Sequence, residues 1–141
     1  MNLARAIEIA VQAHAGQTDK AGAPYILHPL RVMFDVHSED ARIVAVLHDV
    51  IEDCPDWTLL RLHAEGFSDV VLQALDAVTK SPLDADYAAF VARAATNQIA
   101  RQVKRADLLD NLDATRLPQI NDEDRIRLNR YLSALATLQP R

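Results

Sequence analysis

Apolar residues in this chain recur every three or four positions rather than at alternate positions, and few glycines or prolines interrupt them. Such spacing predicts amphipathic helices and disfavours a sheet. The first helix is predicted to end near Gly16, because glycine commonly follows the last turn of a helix. Its expected buried stripe consists of small and aliphatic residues: Leu3, Ala6, Ile7, Ala10 and Val11. The whole pattern indicates an all-α, compact helical bundle.

The same spacing predicts further helices between the breakers. We expect them over residues 29–36, 39–53, a short stretch from 58, 68–78, 87–95, 98–111 and 122–138. The helix over 39–53 should lie at the centre of the bundle, because its body is the most apolar: Ile43, Val44, Val46, Leu47, Val50 and Ile51. The last helix is expected to close the bundle with another apolar set: Ile126, Tyr131, Leu132, Leu135 and Leu138.

Composition limits the classes of function. The 141 residues, of which 50% are hydrophobic and 25% charged, suffice for a single domain over 1–141 with a substantial core. Fifteen basic against twenty acidic residues give a net charge of −5, so we expect neither nucleic acid nor anionic lipid as a partner. An anionic substrate would need local cations.

Cysteine usage and hydropathy indicate where the protein works. A lone cysteine, Cys54, cannot form an internal disulfide, which fits a reducing cytoplasm. No apolar run approaches the roughly 18 to 20 residues of a membrane span, and the first residues are unlike a signal peptide. We therefore expect a cytoplasmic location without membrane contact.

The segment from His48 to Asp53 carries the densest chemistry, at the end of the most apolar predicted helix. Its three carboxylates oppose the helix dipole, so a cation is expected nearby. Glu52 lies one turn beyond His48, and Asp53 one turn beyond Asp49, which predicts a lower layer that holds a metal ion and an upper layer that handles water. The alternative is a solvated acidic helix end with an isolated histidine.

A second polar pair, Asp107 and Asn111, is spaced to face one cavity from a helix with apolar flanks. The alternative for this pair alone is a solvent-facing stripe with a capping asparagine. Together with His28, which lies at a predicted junction of loop and helix, the two segments offer two imidazoles and two carboxylates. This ligand set suits Zn²⁺, Mn²⁺ or iron and leaves positions open for water and substrate.

Other candidates have weaker signals. Lys20, in the loop before His28, is the leading candidate for a phosphate contact, although most loop lysines are simply solvated. Tyr25 either lines a pocket or packs. His14 either donates a hydrogen bond to a ligand or has a structural role at a helix end. His37 and His63 are predicted to lie on the surface.

Three segments of the chain resemble the HD superfamily of metal-dependent phosphohydrolases, in particular the hydrolase domain of RelA/SpoT-type proteins and the small alarmone hydrolases. The segments are AHAGQTDKAGAPYILHPLRV, LHDVIED and VKRADLLDN, in the family's order. The resemblance implies an HD fold with one divalent ion, commonly manganese, held by His28, His48, Asp49 and Asp107. It also implies catalytic roles for Glu52 and Asp53, and nucleotide contacts from Lys20, Tyr25 and Asn111.

The resemblance predicts hydrolysis of a nucleotide phosphate or pyrophosphate ester, with guanosine 3′,5′-bis(diphosphate) as the family's substrate. The alternatives are a metal-containing module that senses a nucleotide without turnover, and a metal that only supports the fold. A neighbouring synthetase domain would need more chain than follows Asn111, so we expect no synthesis. Asp19 stands where alarmone hydrolases usually carry an arginine that stacks on guanine, and Ala114 where they carry a threonine. We therefore expect altered guanine recognition.

Overall fold

Nine α-helices and one short 3-10 helix make up the computed structural model, which describes residues 1–139. The α-helices are α1 Leu3–Ala13, α2 Leu27–Phe34, α3 Glu39–Leu47, α4 Val50–Asp53, α5 Leu59–Glu65, α6 Asp69–Val78, α7 Tyr87–Ala94, α8 Gln98–Asn111 and α9 Asp122–Leu138. The 3-10 helix is Ala114–Arg116. This confirms the prediction of an all-α bundle; the last two residues of the predicted domain 1–141 lie outside the described residues.

Local sequence explains where most of the helices begin. Side-chain oxygens accept a backbone N–H of the first turn at seven α-helix starts, from Asn2, Ser38, Thr58, Ser68, Asp86, Asn97 and Asn121. The helices predicted to start at Thr58 and Ser68 begin one residue later, at Leu59 and Asp69, and these two residues are their N-caps. Gly16 has φ 82° just after α1, a conformation that glycine adopts without strain.

Helix α3 lies at the centre of the core, as predicted. It packs against α1, α2, α6 and α8, and every residue from Ile43 to Leu47 is at least 98% buried. A smaller apolar cluster joins α7, α8 and α9 through Val91, Leu108, Ala134 and Leu138. No helix within residues 1–139 combines the length and the apolar character needed to cross a bilayer.

The helix predicted over 39–53 is interrupted at His48 and Asp49, which form a turn between α3 and α4. The cause is local. The carbonyl oxygen of Ala45 accepts both the backbone N–H and the imidazole Nδ1–H of His48, at 3.4 and 2.5 Å, and does not bond the N–H of Asp49 as a regular helix requires. The interruption turns the two side chains at this position toward α2 and α8.

Three residues assigned to buried stripes are exposed instead. Val11 is 48% exposed, because Ile9 rather than Val11 completes the buried face of α1. Ile126 and Leu132 are 59% and 54% exposed, since α9 contacts the bundle mainly through α7 and α8 and turns these two side chains away from them. Helix α2 also ends at Phe34, two residues before the predicted end.

Candidate functional site

The side chains of the four predicted ligand residues converge from three parts of the fold. His28 is in the first turn of α2, His48 and Asp49 form the turn after α3, and Asp107 is on α8. His28 Nε2 lies 2.9 Å from Asp107 Oδ1 and 3.7 Å from Asp49 Oδ2. His48 Nε2 lies 3.1 Å from Asp49 Oδ2 and 3.4 Å from Asp107 Oδ1. Two nitrogens and two oxygens thus face one small volume, and the first three residues form a group able to hold a metal ion.

The orientation of His48 suits a metal ligand. A carbonyl oxygen only accepts, so the 2.5 Å bond to Ala45 puts a proton on Nδ1 and directs Nε2 toward Asp49 and Asp107. Burial disfavours the charged ring, yet these two carboxylates raise the pKa of His48 well above its ordinary value, and a bound metal ion would take the place of the Nε2 proton. That Nε2 is buried and makes no hydrogen bond of good geometry to any residue of 1–139. A buried polar atom without a partner is costly, and a cation among these four side chains would satisfy it.

His28 is held in the same way by an aspartate that the sequence analysis missed. Its Nδ1 bonds Asp110 Oδ2 at 2.6 Å, which turns Nε2 toward the cluster. Burial disfavours a charged ring, yet the hydrogen bonds to Asp107 and Asp110 raise the pKa of His28. Two acceptors at 2.9 Å repel each other unless a proton or a cation lies between them, so the contact of His28 Nε2 with Asp107 is compatible with either.

Asp107 is fixed by two donors on its own helix. Lys104 Nζ donates to Oδ2 at 2.8 Å, and Asn111 Nδ2 donates to Oδ1 at 3.0 Å, which confirms that Asp107 and Asn111 share one face. The Lys104 ammonium is buried against the rings of Tyr87 and Phe90, 5.5 and 5.0 Å from their centres. Burial opposes ionisation, but the charge of Lys104 holds the pKa of Asp107 well below its usual range. Lys104 also supplies part of the positive charge expected beside the acidic segment.

Tyr25 lies against the cluster. Its hydroxyl donates to Asp49 Oδ2 at 2.5 Å, and its ring contacts those of His14 and His28. Burial disfavours the Asp49 carboxylate, yet the neighbouring His48 lowers the pKa of Asp49 to about 2. His14 bonds Gln17 Oε1 through Nδ1 at 2.6 Å and packs behind Tyr25, so it donates to none of the four candidate ligands.

Glu52 and Asp53 follow the cluster on α4. The backbone N–H of Asp53 bonds the carbonyl of Asp49 at 3.0 Å, so the predicted spacing of one turn between these two residues survives the interruption of the helix. Both residues are exposed to solvent at the edge of the site. Partial burial of the carboxyl groups and the nearby charge of Asp49 raise the pKa of both Glu52 and Asp53. Their catalytic role stays a prediction.

A cavity of about 280 Å³ adjoins the cluster, and Tyr25, His28 and Asn111 line the end of the cavity nearest to it. Two acidic side chains, Asp19 and Asp113, face this cavity, against four basic ones: Lys20, Arg31, Arg116 and Arg127. The cavity therefore supplies the local cations that an anionic substrate of this acidic protein needs. Within residues 1–139 the three arginines pair with aspartates, whereas Lys20 has no acidic partner within 4 Å.

Asp19 has a structural task in the loop that borders the cavity. Its Oδ1 accepts the backbone N–H groups of Ala21 and Ala23, both at 2.9 Å. These bonds close the turn that carries Lys20 and Gly22, the latter at φ 85°. Asp19 therefore stabilises the conformation of the loop and also places a negative charge at the cavity. The first of these roles could not be predicted from its position in the motif.

The chain is similar to parts of several enzymes whose names refer to guanosine pyrophosphates. No protein-family model matches the chain. It is similar to a probable GTP pyrophosphokinase of Mycobacterium leprae, 42% identical over 80 residues, or 54% of this chain and 10% of that protein. Guanosine-3′,5′-bis(diphosphate) 3′-pyrophosphohydrolases of Vibrio cholerae and Aquifex aeolicus are 41% and 32% identical over 76 and 119 residues, or 51% and 77% of this chain.

The chain spans 10% of the Vibrio cholerae protein and 17% of the Aquifex aeolicus protein. The similarity therefore covers a small part of each relative. It agrees with the predicted resemblance to RelA/SpoT-type proteins, while membership of the HD superfamily stays a prediction.

Proposed function

We propose that this chain is a metal-dependent hydrolase that removes the 3′-pyrophosphate group from guanosine 3′,5′-bis(diphosphate). The observation that carries the proposal is the convergence of His28, His48, Asp49 and Asp107, with a buried His48 Nε2 that has no hydrogen-bond partner within 1–139, beside a cavity rich in basic groups. The names of the Vibrio cholerae and Aquifex aeolicus relatives support this choice of reaction and substrate.

The four converging side chains would hold one divalent ion. Their mixture of imidazole and carboxylate groups suits Mn²⁺, Zn²⁺ or Fe²⁺, and we propose Mn²⁺ from the resemblance to HD phosphohydrolases. When bound, such an ion would lower the pKa of a coordinated water toward about 7 and would offset charge on the attacked phosphoryl group.

The residues around the cluster have separate tasks in this proposal. One of the two carboxylates Glu52 and Asp53 takes up the proton of the attacking water and the other orients that water, and a carboxyl group with a raised pKa is well suited to accept the proton. Tyr25 and Asn111 hold Asp49 and Asp107 in place through their hydrogen bonds and line the cavity where the nucleotide binds. Lys20, which has no acidic partner within 4 Å in 1–139, contacts a phosphate group.

A hydrolysis screen tests this function. The protein is stripped with a chelator, reloaded with Mn²⁺ and offered guanosine 3′,5′-bis(diphosphate), nucleoside mono-, di- and triphosphates and other pyrophosphate esters. We expect release of pyrophosphate from the first compound, lost in chelator and restored by Mn²⁺. Tight binding of that nucleotide without release would instead identify a sensor, and turnover of a different ester would replace the proposed substrate.

Asp19 offers a prediction about substrate recognition. An arginine at this position is expected to raise kcat/KM for guanosine 3′,5′-bis(diphosphate) about tenfold, because a cation that stacks on guanine replaces an anion that repels phosphate. The same change removes two hydrogen bonds of the loop. Asp19→Asn keeps the accepting oxygen and removes only the charge, worth about 1 kcal/mol at a few ångström in water. We therefore expect Asp19→Asn to lower KM about fivefold.

Steady-state kinetics at saturating Mn²⁺ and low salt compare the two variants with wild type. Asp35→Asn, at an exposed position outside the cavity, is the matched control for loss of one negative charge. If wild type already turns over this nucleotide efficiently and neither Asp19 variant improves it, the loop does not determine base or phosphate recognition.

A further inference from the structure

We propose that Asp110 and Arg31 are positioning residues of the candidate metal centre, which act on the ligand His28 without touching the metal. Asp110 fixes the orientation and the ring proton of His28, and Arg31 fixes Asp110. The inference rests on the metal site of the proposed function and does not depend on the identity of the substrate.

The contact between Asp110 and His28 is short and buried. The Asp110 side chain is 8% exposed, and its Oδ2 lies 2.6 Å from His28 Nδ1. An ionised carboxylate only accepts, so Nδ1 carries a proton, and Nε2 faces Asp107 and Asp49, where its lone pair would be available to a bound cation. A carboxylate behind a ligating histidine selects the tautomer and raises the basicity of the ligand nitrogen.

Arg31 prevents rotation of this carboxylate. Its Nε donates to Asp110 Oδ1 at 2.7 Å and its Nη2 donates to Oδ2 at 3.1 Å, a two-point contact that a single ammonium cannot reproduce. Arg116 adds a bond from Nη2 to the backbone oxygen of Asp110 at 2.7 Å. Arg31 thus bonds both carboxylate oxygens, and Oδ2 is shared between Arg31 and His28.

This chain of contacts links the cavity to the metal centre. Arg31 and Arg116 line the cavity, whereas Asp110 does not, and His28 belongs to both. Arg31 follows His28 by one turn on α2, and Asp110 lies on α8, so the carboxylate joins the two helices at the site. A change at Arg31, which contacts none of the other three candidate ligands, should therefore alter metal affinity.

The test measures Mn²⁺ binding to chelator-stripped protein by electron paramagnetic resonance of the free ion. We expect Asp110→Leu to weaken binding about 10- to 100-fold, the range typical of removing a partner behind a metal ligand. Asp110→Asn, which keeps an oxygen acceptor, and Arg31→Met, which keeps an apolar stem, should fall between Asp110→Leu and wild type. Asp113→Asn is the control: it removes a carboxylate that pairs with Arg116 beside the same cavity, without contact to His28.

Proton NMR of the metal-free proteins gives a second readout that a purely structural salt bridge would not change. A downfield imidazole N–H resonance from the short bond of His28 should be present in wild type and in Asp113→Asn and absent in Asp110→Leu. Thermal melts establish that each variant is folded. If Asp110→Leu does not fold, Arg31→Met carries the test, because Arg31 is partly exposed and the buried Asp110 carboxylate keeps its contacts with His28 and Arg116.

Unchanged Mn²⁺ affinity in folded Asp110→Leu or Arg31→Met would overturn the inference, as would a loss equal to that of Asp113→Asn. If wild type itself binds no Mn²⁺, both the metal site and this inference fail. The expected pattern of affinities in a protein that hydrolyses no guanosine 3′,5′-bis(diphosphate) would uphold the inference and overturn only the proposed substrate.

Discussion

Replacing His48 with alanine is expected to abolish hydrolysis and most metal binding while leaving the helical bundle intact. His48 is 3% exposed and contributes a nitrogen without a hydrogen-bond partner in 1–139 that faces Asp49 and Asp107. The substitution removes one of the two imidazoles from the ligand set. The negative charges of Asp49 and Asp107 then lose the ring that lies between them. We expect turnover to fall more than about 10³-fold, equivalent to about 4 kcal/mol of lost transition-state stabilisation.

The fold should survive because the cavity left by the imidazole costs about 2 to 4 kcal/mol, less than the roughly 5 to 15 kcal/mol that stabilise a typical domain. Circular dichroism and a thermal melt check this, and Mn²⁺ titration and pyrophosphate release check the site. His63→Ala is the matched control, since His63 is an exposed histidine on α5. A His48→Ala protein that still bound Mn²⁺ and turned over substrate would remove His48 from the ligand set.

Helix placement was predictable here because burial imposes a spacing on the sequence. The apolar body of α3 and the capping residues Ser38 and Asn97 mark their helices through short-range chemistry. The break at His48 was not predictable, because it depends on a bond from the imidazole to its own helix backbone. The spacing of apolar residues also did not show whether Ile9 or Val11 is buried in α1, because both are aliphatic. The packing of α1 on α3 determines which of the two is buried.

The candidate ligands were identifiable, but their supporting residues were not. His28, His48, Asp49 and Asp107 combine metal-binding side chains with recognisable motifs, and the structure brings their side chains together. Lys104 and Asp110, by contrast, look like ordinary polar positions of α8. Each acquires its role from contacts that form only when α8 packs: Lys104 against the rings of α7, and Asp110 against residues of α2. The one available signal was spacing, because both lie one turn from Asp107.

The charges around the site fit the anionic substrate of the proposed function. The protein carries a net charge of −5, yet the candidate ligands and the cavity are surrounded by Lys104, Lys20 and three arginines. Arg31 and Arg116 are held by the same carboxylate, Asp110, that bonds His28. Cations are therefore placed where an anionic phosphate would bind in the proposed function.

Glu52→Gln is expected to separate chemistry from metal binding. Glu52 lies on α4 beyond the turn that holds His48 and Asp49, and it makes no side-chain hydrogen bond or ion pair with them. Glutamine keeps its size but cannot take up a proton at neutral pH. We expect Mn²⁺ affinity to stay within about threefold of wild type and kcat to fall about 10²- to 10⁴-fold, the usual effect of removing a group that transfers a proton.

Single-turnover rates with guanosine 3′,5′-bis(diphosphate) and Mn²⁺ titrations of the same preparation measure the two quantities together. Glu39→Gln makes the same change at an exposed position in the first turn of α3 and should leave both unchanged. A parallel loss of Mn²⁺ affinity and rate in Glu52→Gln would make Glu52 a metal ligand. Full activity would leave Asp53, whose backbone bonds the carbonyl of Asp49, as the carboxylate that accepts the proton.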